Sequence, residues 1–198
     1  MRIGGFHPVS FNDYPGRVAA VIFTQGCNFR CPYCHNPGLL DPTAPAPYQP
    51  EDIFAHLTTR REKLGGVVIS GGEPTLQEDI IPFCRRLREL GLAIKIDSNG
   101  SRPEVLAQLL AAKVVDYLAM DIKAPLADYG KVAGAVIDTA TIVRSLTLIA
   151  ESGIAHHFRT TFAQPLLTAA GLKEVARLVP TGSRHLVQPC RPPAEKLK

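Results

Sequence analysis

The sequence predicts an α/β fold built on parallel strands, and three observations predict it. Short apolar runs rich in β-branched residues recur along the chain, and amphipathic stretches separate them. No internal repeat or low-complexity tract breaks that alternation. Parallel strands need a crossover between them, and a right-handed helical crossover is the usual one. The strand units are too few to close an eight-fold barrel. An open, partial barrel or a doubly wound sheet is therefore expected.

The elements follow in order. Strands are expected over residues 18–24, 66–70, 93–97, 117–122, 157–162 and 185–188, and helices over 51–63, 79–90, 103–112, 139–152 and 169–179. Gly91 and Gly153 stand where two of these helices want a left-handed cap. Ser101 with Glu104 reads as a capping box for the third helix, and Pro103 is tolerated in its first turn. Val105, Leu106, Leu109 and Leu110 then give that helix one apolar face. Ile142, Val143, Leu146 and Ile149 repeat the spacing in the next helix. One connection, 25–50, is unlike the rest. It carries three cysteines and Pro37, Pro42, Pro45, Pro47 and Pro50. A loop of that length inside a compact domain is usually functional. The whole chain, 1–198, reads as one domain, and its polar tail at 191–198 is expected to be loose.

Composition narrows the classes. The chain has 198 residues, 45% hydrophobic and 20% charged, which excludes wholesale disorder. Lys plus Arg number 22 and Asp plus Glu 18, so the net charge is 22 − 18 = +4. That favours an acidic partner and falls short of the clustered basic face of a nucleic-acid binder. No stretch approaches the ~18 uninterrupted apolar residues of a membrane span. The start shows no apolar secretory core, so a cytoplasmic setting without a membrane partner is expected. Clustered cysteines there point to metal or redox chemistry rather than to disulfides.

Cys27, Cys31 and Cys34 are spaced C-x3-C-x2-C. Four readings compete. Cys31-Pro32-Tyr33-Cys34 resembles the dithiol of a glutaredoxin, which leaves Cys27 unexplained. Cys31 to His35 also matches the haem-attachment pattern C-x-x-C-H, which goes with export. Structural zinc needs four ligands, and His35, adjacent to Cys34, is a poor fourth. An iron–sulfur cluster held by three thiolates uses all three cysteines and leaves one iron open. Such an iron can chelate an amino acid through its amine and carboxylate and pass one electron into the bound molecule.

The predicted strands share a second feature at their carboxyl ends, the edge where α/β folds bind ligands. Ser70-Gly71-Gly72-Glu73-Pro74-Thr75 ends the second, and its glycines let backbone approach a ligand closely. Asp97-Ser98-Asn99-Gly100 ends the third, and Met120-Asp121-Ile122-Lys123 the fourth. The fifth carries Arg159 and the last Gln188. Each alone reads as a turn or as an ion pair. Together they suit an amino acid joined to a nucleoside. Glu73 can accept from an ammonium, Lys123 or Arg159 can hold a carboxylate, and Ser98 and Asn99 can meet ribose hydroxyls.

With the C-x3-C-x2-C loop, Tyr33 before its third cysteine, and Gly71-Gly72-Glu73-Pro74, the sequence resembles the radical S-adenosylmethionine enzymes. More narrowly it is similar to the activating proteins of anaerobic ribonucleoside-triphosphate reductase. The likeness rests on Asp13-Tyr14-Pro15-Gly16, the run from Phe23 to Pro37, and the strand ends above, over about residues 1–165. Pyruvate formate-lyase activating enzymes share much of the pattern. The ending Val187-Gln188-Pro189-Cys190-Arg191 departs from it.

The resemblance implies a partial (β/α)6 barrel and a cytoplasmic, anaerobic oxidoreductase. Cys27, Cys31 and Cys34 would hold a [4Fe-4S] cluster whose fourth iron chelates S-adenosylmethionine. Gly72 and Glu73 would receive the amine, and Tyr33 would lie by the adenine. Asp97, Ser98, Asn99, Asp121 and Lys123 would meet the ribose and carboxylate side; Arg159 and Gln188 join the candidate cofactor-binding set from their places on the last two strands. Asp97 and Asp121 would be placed to bind a monovalent cation. The reaction implied is formation of a 5′-deoxyadenosyl radical that takes hydrogen from a glycine of the reductase, with flavodoxin or ferredoxin as electron donor. Arg85, Arg86 and Arg88 offer such a carrier a basic cluster, or form a solvated helix face. The alternatives are activation of pyruvate formate-lyase or another glycyl-radical enzyme, a different radical substrate, or no enzyme at all but an electron carrier or dithiol protein. Cys84 reads as core; Cys190 reads as ambiguous, a fourth ligand being conceivable.

Overall fold

A computed structural model describes residues 1–190. The expectation for the tail at 191–198 lies outside the described residues. In chain order the elements are β1 (Ile3–Ser10), β2 (Ala19–Thr24), α1 (Pro50–Arg60), β3 (Gly66–Gly71), α2 (Ile80–Glu89), β4 (Ala93–Ser98), α3 (Pro103–Ala111), β5 (Tyr117–Asp121), α4 (Tyr129–Ala133), α5 (Thr139–Glu151), β6 (Ala155–Phe162), α6 (Ala169–Leu178) and β7 (His185–Pro189). The strands form one sheet in the order β1-β2-β3-β4-β5-β6-β7. Neighbours in sequence are thus neighbours in space, which is barrel order; a doubly wound sheet reverses at a switch point. Strands β2 to β7 run parallel throughout. The architecture is the expected partial barrel.

Strand β1 was not expected. It pairs antiparallel with β2 and slips register between Ile3 and Gly5 and again between His7 and Ser10. Its Gly4, Gly5 and Pro8 are strand breakers in a sequence reading, and only an edge strand tolerates them. The five-residue α4 was also missed, being too short to show a period. The capping box at Ser101 does not form. Arg102 is the N-cap of α3 and makes no side-chain cap hydrogen bond. The Ser101 hydroxyl instead accepts from Asn28 Nδ2 at 2.8 Å. Gly91 and Gly153 do take positive φ, 78° and 76°, beyond the ends of α2 and α5.

The period-two alternation of the strands separates two environments. On β4, Ile94 and Ile96 face outward into the main core, while Lys95 and Asp97 face inward. The outward core joins Ile22, Ile69, Leu118 and Phe158 to Leu57, Leu87, Leu109 and Ile149 of the helices, all fully buried. Each such side chain contributes roughly 1.5–3 kcal/mol. Cys84 is 0% exposed in this core. The inward face has a small apolar floor of Tyr14, Ala19, Val21 and Val68. Above that floor the inward positions turn polar.

On α2, Arg86 forms a two-pronged ion pair with Glu51 at 3.0 and 2.8 Å and stacks 3.8 Å over Phe54. Arg88 pairs with Asp116 at 3.0 and 2.9 Å. Two of the three arginines in the basic cluster are thereby engaged within the molecule. Among the described residues no helix is long and apolar enough to cross a membrane.

Candidate functional site

The cysteine loop leaves β2 at Gln25 and is pinned on three sides. Gln25 Nε2 donates to the carbonyls of Gly38 and Asp41 at 3.1 and 2.7 Å. Gly26 N donates to Leu39 O at 2.8 Å, and Arg30 N to Ala133 O of α4 at 2.8 Å. Phe29, 3% exposed, anchors the loop in the main core. This bracing presents Cys27, Cys31 and Cys34, each half-buried, to one cavity. The Phe29 amide donates to Cys27 Sγ at 3.4 Å. Burial pushes the Cys27 thiol up to about 11 and the Cys31 thiol in the same direction. A metal taken up here therefore has to displace protons from both.

Strand β3 delivers Gly71 and Gly72 against the base of this loop. Gly71 adopts φ +113°, a conformation glycine takes without strain. At Gly72 the constraint is space: a Cβ would stand 2.0 Å from Gly26 O. Glu73 N donates to that same oxygen at 2.9 Å. The Glu73 carboxylate is 1% exposed and accepts four hydrogen bonds. They come from Thr75 N at 3.1 Å, Thr75 Oγ1 at 2.6 Å, Ser98 Oγ at 2.8 Å and Asn99 N at 2.7 Å. Burial drives its pKa up while these donors pull it down, and the net direction is up. Glu73 thus ties the end of β3 to the end of β4. Asn99 carries the tie on to the cysteine loop: its Nδ2 donates to Asn28 Oδ1 at 2.9 Å, and its Oδ1 accepts from Ser101 N at 2.9 Å.

Five charged side chains line the inner face in alternating sign. Lys95 pairs with Asp97, and Arg159 bridges Asp97 and Asp121. Lys123 then pairs with Asp121 at 2.8 Å. Burial alone would raise the Asp121 carboxyl, but the two cations beside it, and the hydrogen bonds they donate, hold it far below the usual carboxylate range. Asp121 raises Lys123 and Arg159 in turn, against the effect of their own burial.

Every residue expected to bind cluster or cofactor lines one cavity of about 290 Å³: Cys27, Tyr33, Cys31, Cys34, Gly72, Glu73, Asp97, Ser98, Asn99, Asp121, Lys123, Arg159 and Gln188. Residues far apart in the chain are brought together because each follows, or ends, a neighbouring parallel strand. The sequence reading missed Phe23, Ser70 and Thr161, which share the lining. Thr161 stands two residues beyond Arg159 on β6, so the period-two rule was the available signal. A second cavity of about 580 Å³ shares Asp13, His35, Arg159 and Gln188 with the first, and Pro15, Leu186 and Pro189 are among its other lining residues. Cys190 lies just past β7, its amide donating to Phe162 O at 3.3 Å.

His157 also belongs to this inner face. It is 5% exposed, with Nδ1 2.9 Å from the Tyr117 hydroxyl. Burial first, then the Lys95 ammonium, lowers its pKa from 6.5 to about 4. An unfolded chain takes up a proton at 6.5 that the folded chain refuses until about 4, so stability falls as pH drops through that window. The loss reaches about 3 kcal/mol at its lower end. Urea unfolding of the wild type and of His157→Phe across the window should show a shallower pH slope for the variant. Equal slopes would remove His157 as the cause.

The donor set fits an iron–sulfur cluster with a nucleoside cofactor. Among the described residues, no three His, Cys, Asp or Glu side chains converge closely enough to hold a single metal ion. A cubic cluster takes each thiolate at a different corner and needs no such convergence. The Tyr33 hydroxyl is buried with no hydrogen-bond partner among the described residues. A buried orphan costs about 1–3 kcal/mol, which a ligand in the adjoining cavity can offset.

Comparison with known proteins agrees with this geometry. The model of the "Radical SAM superfamily" matches residues 21–179. A protein of Methanocaldococcus jannaschii, named provisionally as a glycyl-radical enzyme activating enzyme, is 32% identical over 195 residues, covering 96% of this chain and 80% of that protein. The likeness thus extends well past residue 165, where the sequence reading let it fade. The pyruvate formate-lyase-activating enzyme of Listeria monocytogenes is 35% identical over 132 residues, 62% of this chain. The chain spans 53% of that enzyme's length. In fold, Streptococcus suis SuiB bound to S-adenosylmethionine superposes with a TM-score of 0.67 at 16% identity, over 86% of this chain and 40% of that one.

Proposed function

The chain belongs to the radical SAM superfamily and is a homologue of the glycyl-radical enzyme activating enzymes, and on that premise we propose that it installs the glycyl radical of an anaerobic ribonucleoside-triphosphate reductase. The observation that carries the reading is the single cavity joining the three thiols to the charged ends of β4, β5 and β6. Cys27, Cys31 and Cys34 would hold a [4Fe-4S] cluster, and S-adenosylmethionine would lie between it and those strand ends. When bound there, cluster and cofactor would supply one-electron reductive cleavage of the sulfonium, with flavodoxin or ferredoxin as the electron source and a glycine Cα of the partner as the hydrogen donor.

The chain's own residues do the rest. Gly72 lets the β3 turn lie against the cysteine loop without a side chain between them. Glu73, satisfied by four donors, holds the turn and the β4 end in one arrangement, and so keeps the backbone of Gly72 and Glu73 facing the amine. Lys123 offers a cationic group to the methionyl carboxylate. Tyr33 offers its ring to the adenine and its free hydroxyl to a polar atom of the ligand. The apolar floor around Tyr14 and Val68 closes the barrel behind the site and limits the entry of water. Positioning and exclusion of other hydrogen donors are what the protein contributes.

Pyruvate formate-lyase is the second reading, supported by the Listeria monocytogenes relative. The deciding experiment is anaerobic. Protein reconstituted with iron and sulfide is reduced with S-adenosylmethionine and either the reductase or pyruvate formate-lyase. A doublet glycyl-radical signal on the reductase, with one 5′-deoxyadenosine formed per radical, is the expected result. The signal on pyruvate formate-lyase alone reassigns the target. No 5′-deoxyadenosine from fully loaded protein defeats the function altogether.

A further inference from the structure

We propose that Arg159 acts in this chain as a built-in cation between Asp97 and Asp121, so that no alkali-metal ion is needed there. Two carboxylates on adjacent strands face one partly buried cavity. They repel each other unless a positive charge lies between them. A bound monovalent ion is one solution, and the family resemblance implies it. A side chain that spans both carboxylates is the other.

The structure fills the position with side chains. Asp97 Oδ1 takes Lys95, and Asp97 Oδ2 takes Arg159 Nη1 at 3.5 Å. Asp121 Oδ1 takes Arg159 Nε at 2.6 Å, and Asp121 Oδ2 takes Lys123 Nζ at 2.8 Å. All four carboxylate oxygens thus have a cationic donor. An alkali ion binds through oxygen lone pairs, and here each oxygen already serves a cation. Three positive charges oppose two negative ones, so a further cation would enter a site already in positive excess. Solvent screens the array weakly, since the side chains of Lys95 and Asp97 are 2% and 10% exposed. Arginine suits the central place. Its guanidinium does not lose its proton, and its planar fork reaches two acceptors at once. Unlike a bound ion, it cannot dissociate.

The proposal rests on the cofactor reading for one arm of its test and not for the other. Reconstituted protein is placed in potassium, sodium or tetramethylammonium chloride at equal ionic strength. Sodium-23 linewidths report ion binding, and equilibrium dialysis reports the dissociation constant for S-adenosylmethionine. The wild type should show no saturable sodium broadening, and its affinity should agree among the three salts within about twofold. In Arg159→Met, the gap between Asp97 and Asp121 opens. Its affinity in tetramethylammonium should fall by about fivefold or more and recover in potassium or sodium. Saturable broadening in the wild type, removed by Asp97→Asn, overturns the proposal. So does wild-type affinity that weakens by about fivefold in tetramethylammonium, or a folded Arg159→Met indifferent to the salt. If Arg159→Met does not fold, the wild-type arms decide alone. If S-adenosylmethionine binds in no salt, the cofactor reading fails, and sodium linewidths still decide the proposal.

Discussion

Cys27→Ala should abolish cluster assembly and with it all formation of 5′-deoxyadenosine. Cys27 opens the motif at the point where the loop leaves β2, and its backbone is held by Leu40 O at 3.1 Å. The thiol can therefore be removed without unravelling the loop. Two thiolates remain, one fewer than the cluster would need. Changes one shell further out already cost 10–100-fold in metal affinity, so losing a ligand should lower activity by more than about a hundredfold. Iron content, the visible absorption of the reconstituted protein and 5′-deoxyadenosine yield check it together, with far-UV circular dichroism confirming the fold. Cys84→Ala supplies the contrast. Cys84 is fully buried on the core-facing side of α2 and is not part of the cavity lining. Its loss should lower stability by a cavity penalty and leave iron content per folded protein unchanged. Full activity in Cys27→Ala would end the ligand assignment.

Gly72→Ala should be among the most damaging single methyl additions in the protein. The added Cβ would lie 2.0 Å from Gly26 O, 2.6 Å from Gly26 C and 3.1 Å from Leu39 O. All three are backbone atoms, so no side chain can swing aside. Relief requires the β3 turn and the base of the cysteine loop to separate. That movement breaks the bond from Glu73 N to Gly26 O and loosens the one from Gly26 N to Leu39 O. Overpacking of this kind costs about 3 kcal/mol or more. The thermal midpoint should fall by roughly 6–12 °C, and the displaced loop should take up less iron even at low temperature. Calorimetry and iron analysis read the two effects separately. Gly182→Ala is the comparison: a Cβ there meets nothing within 4 Å, and the cost is confined to its φ of +85°. An unchanged midpoint in Gly72→Ala would show that the two loops are not packed as described.

The alternation of β-branched runs with amphipathic helices was legible because local patterning and tertiary role agree there. The expected strand at 66–70 and the observed Gly66–Gly71 differ by one residue. The cysteine loop was legible for another reason: three ligands to one object must be close, and a short loop brings them close in sequence. Where the two levels disagreed, the sequence misled. Gly4, Gly5 and Pro8 argue against a strand, yet β1 forms because β2 offers it an edge. Ser101 and Glu104 argue for a capping box. The Ser101 hydroxyl is instead drawn to Asn28, and Glu104 pairs with Arg102.

Residue identity by itself determined the chemistry on offer, three thiols on one loop and polar groups at the end of strand after strand. Chain connectivity determined that those groups share an edge. Which carboxylate answers to which cation was decided only by the tertiary structure. Asp97, Asp121 and Arg159 are separated by 24 and 38 positions in the chain, counted as 121 − 97 and 159 − 121. They meet because β4, β5 and β6 lie side by side in register, Asp97 opposite Ala119 and Asp121 opposite Arg159. A carboxylate's partner depends on distance and burial, and neither is a property of its neighbours in sequence.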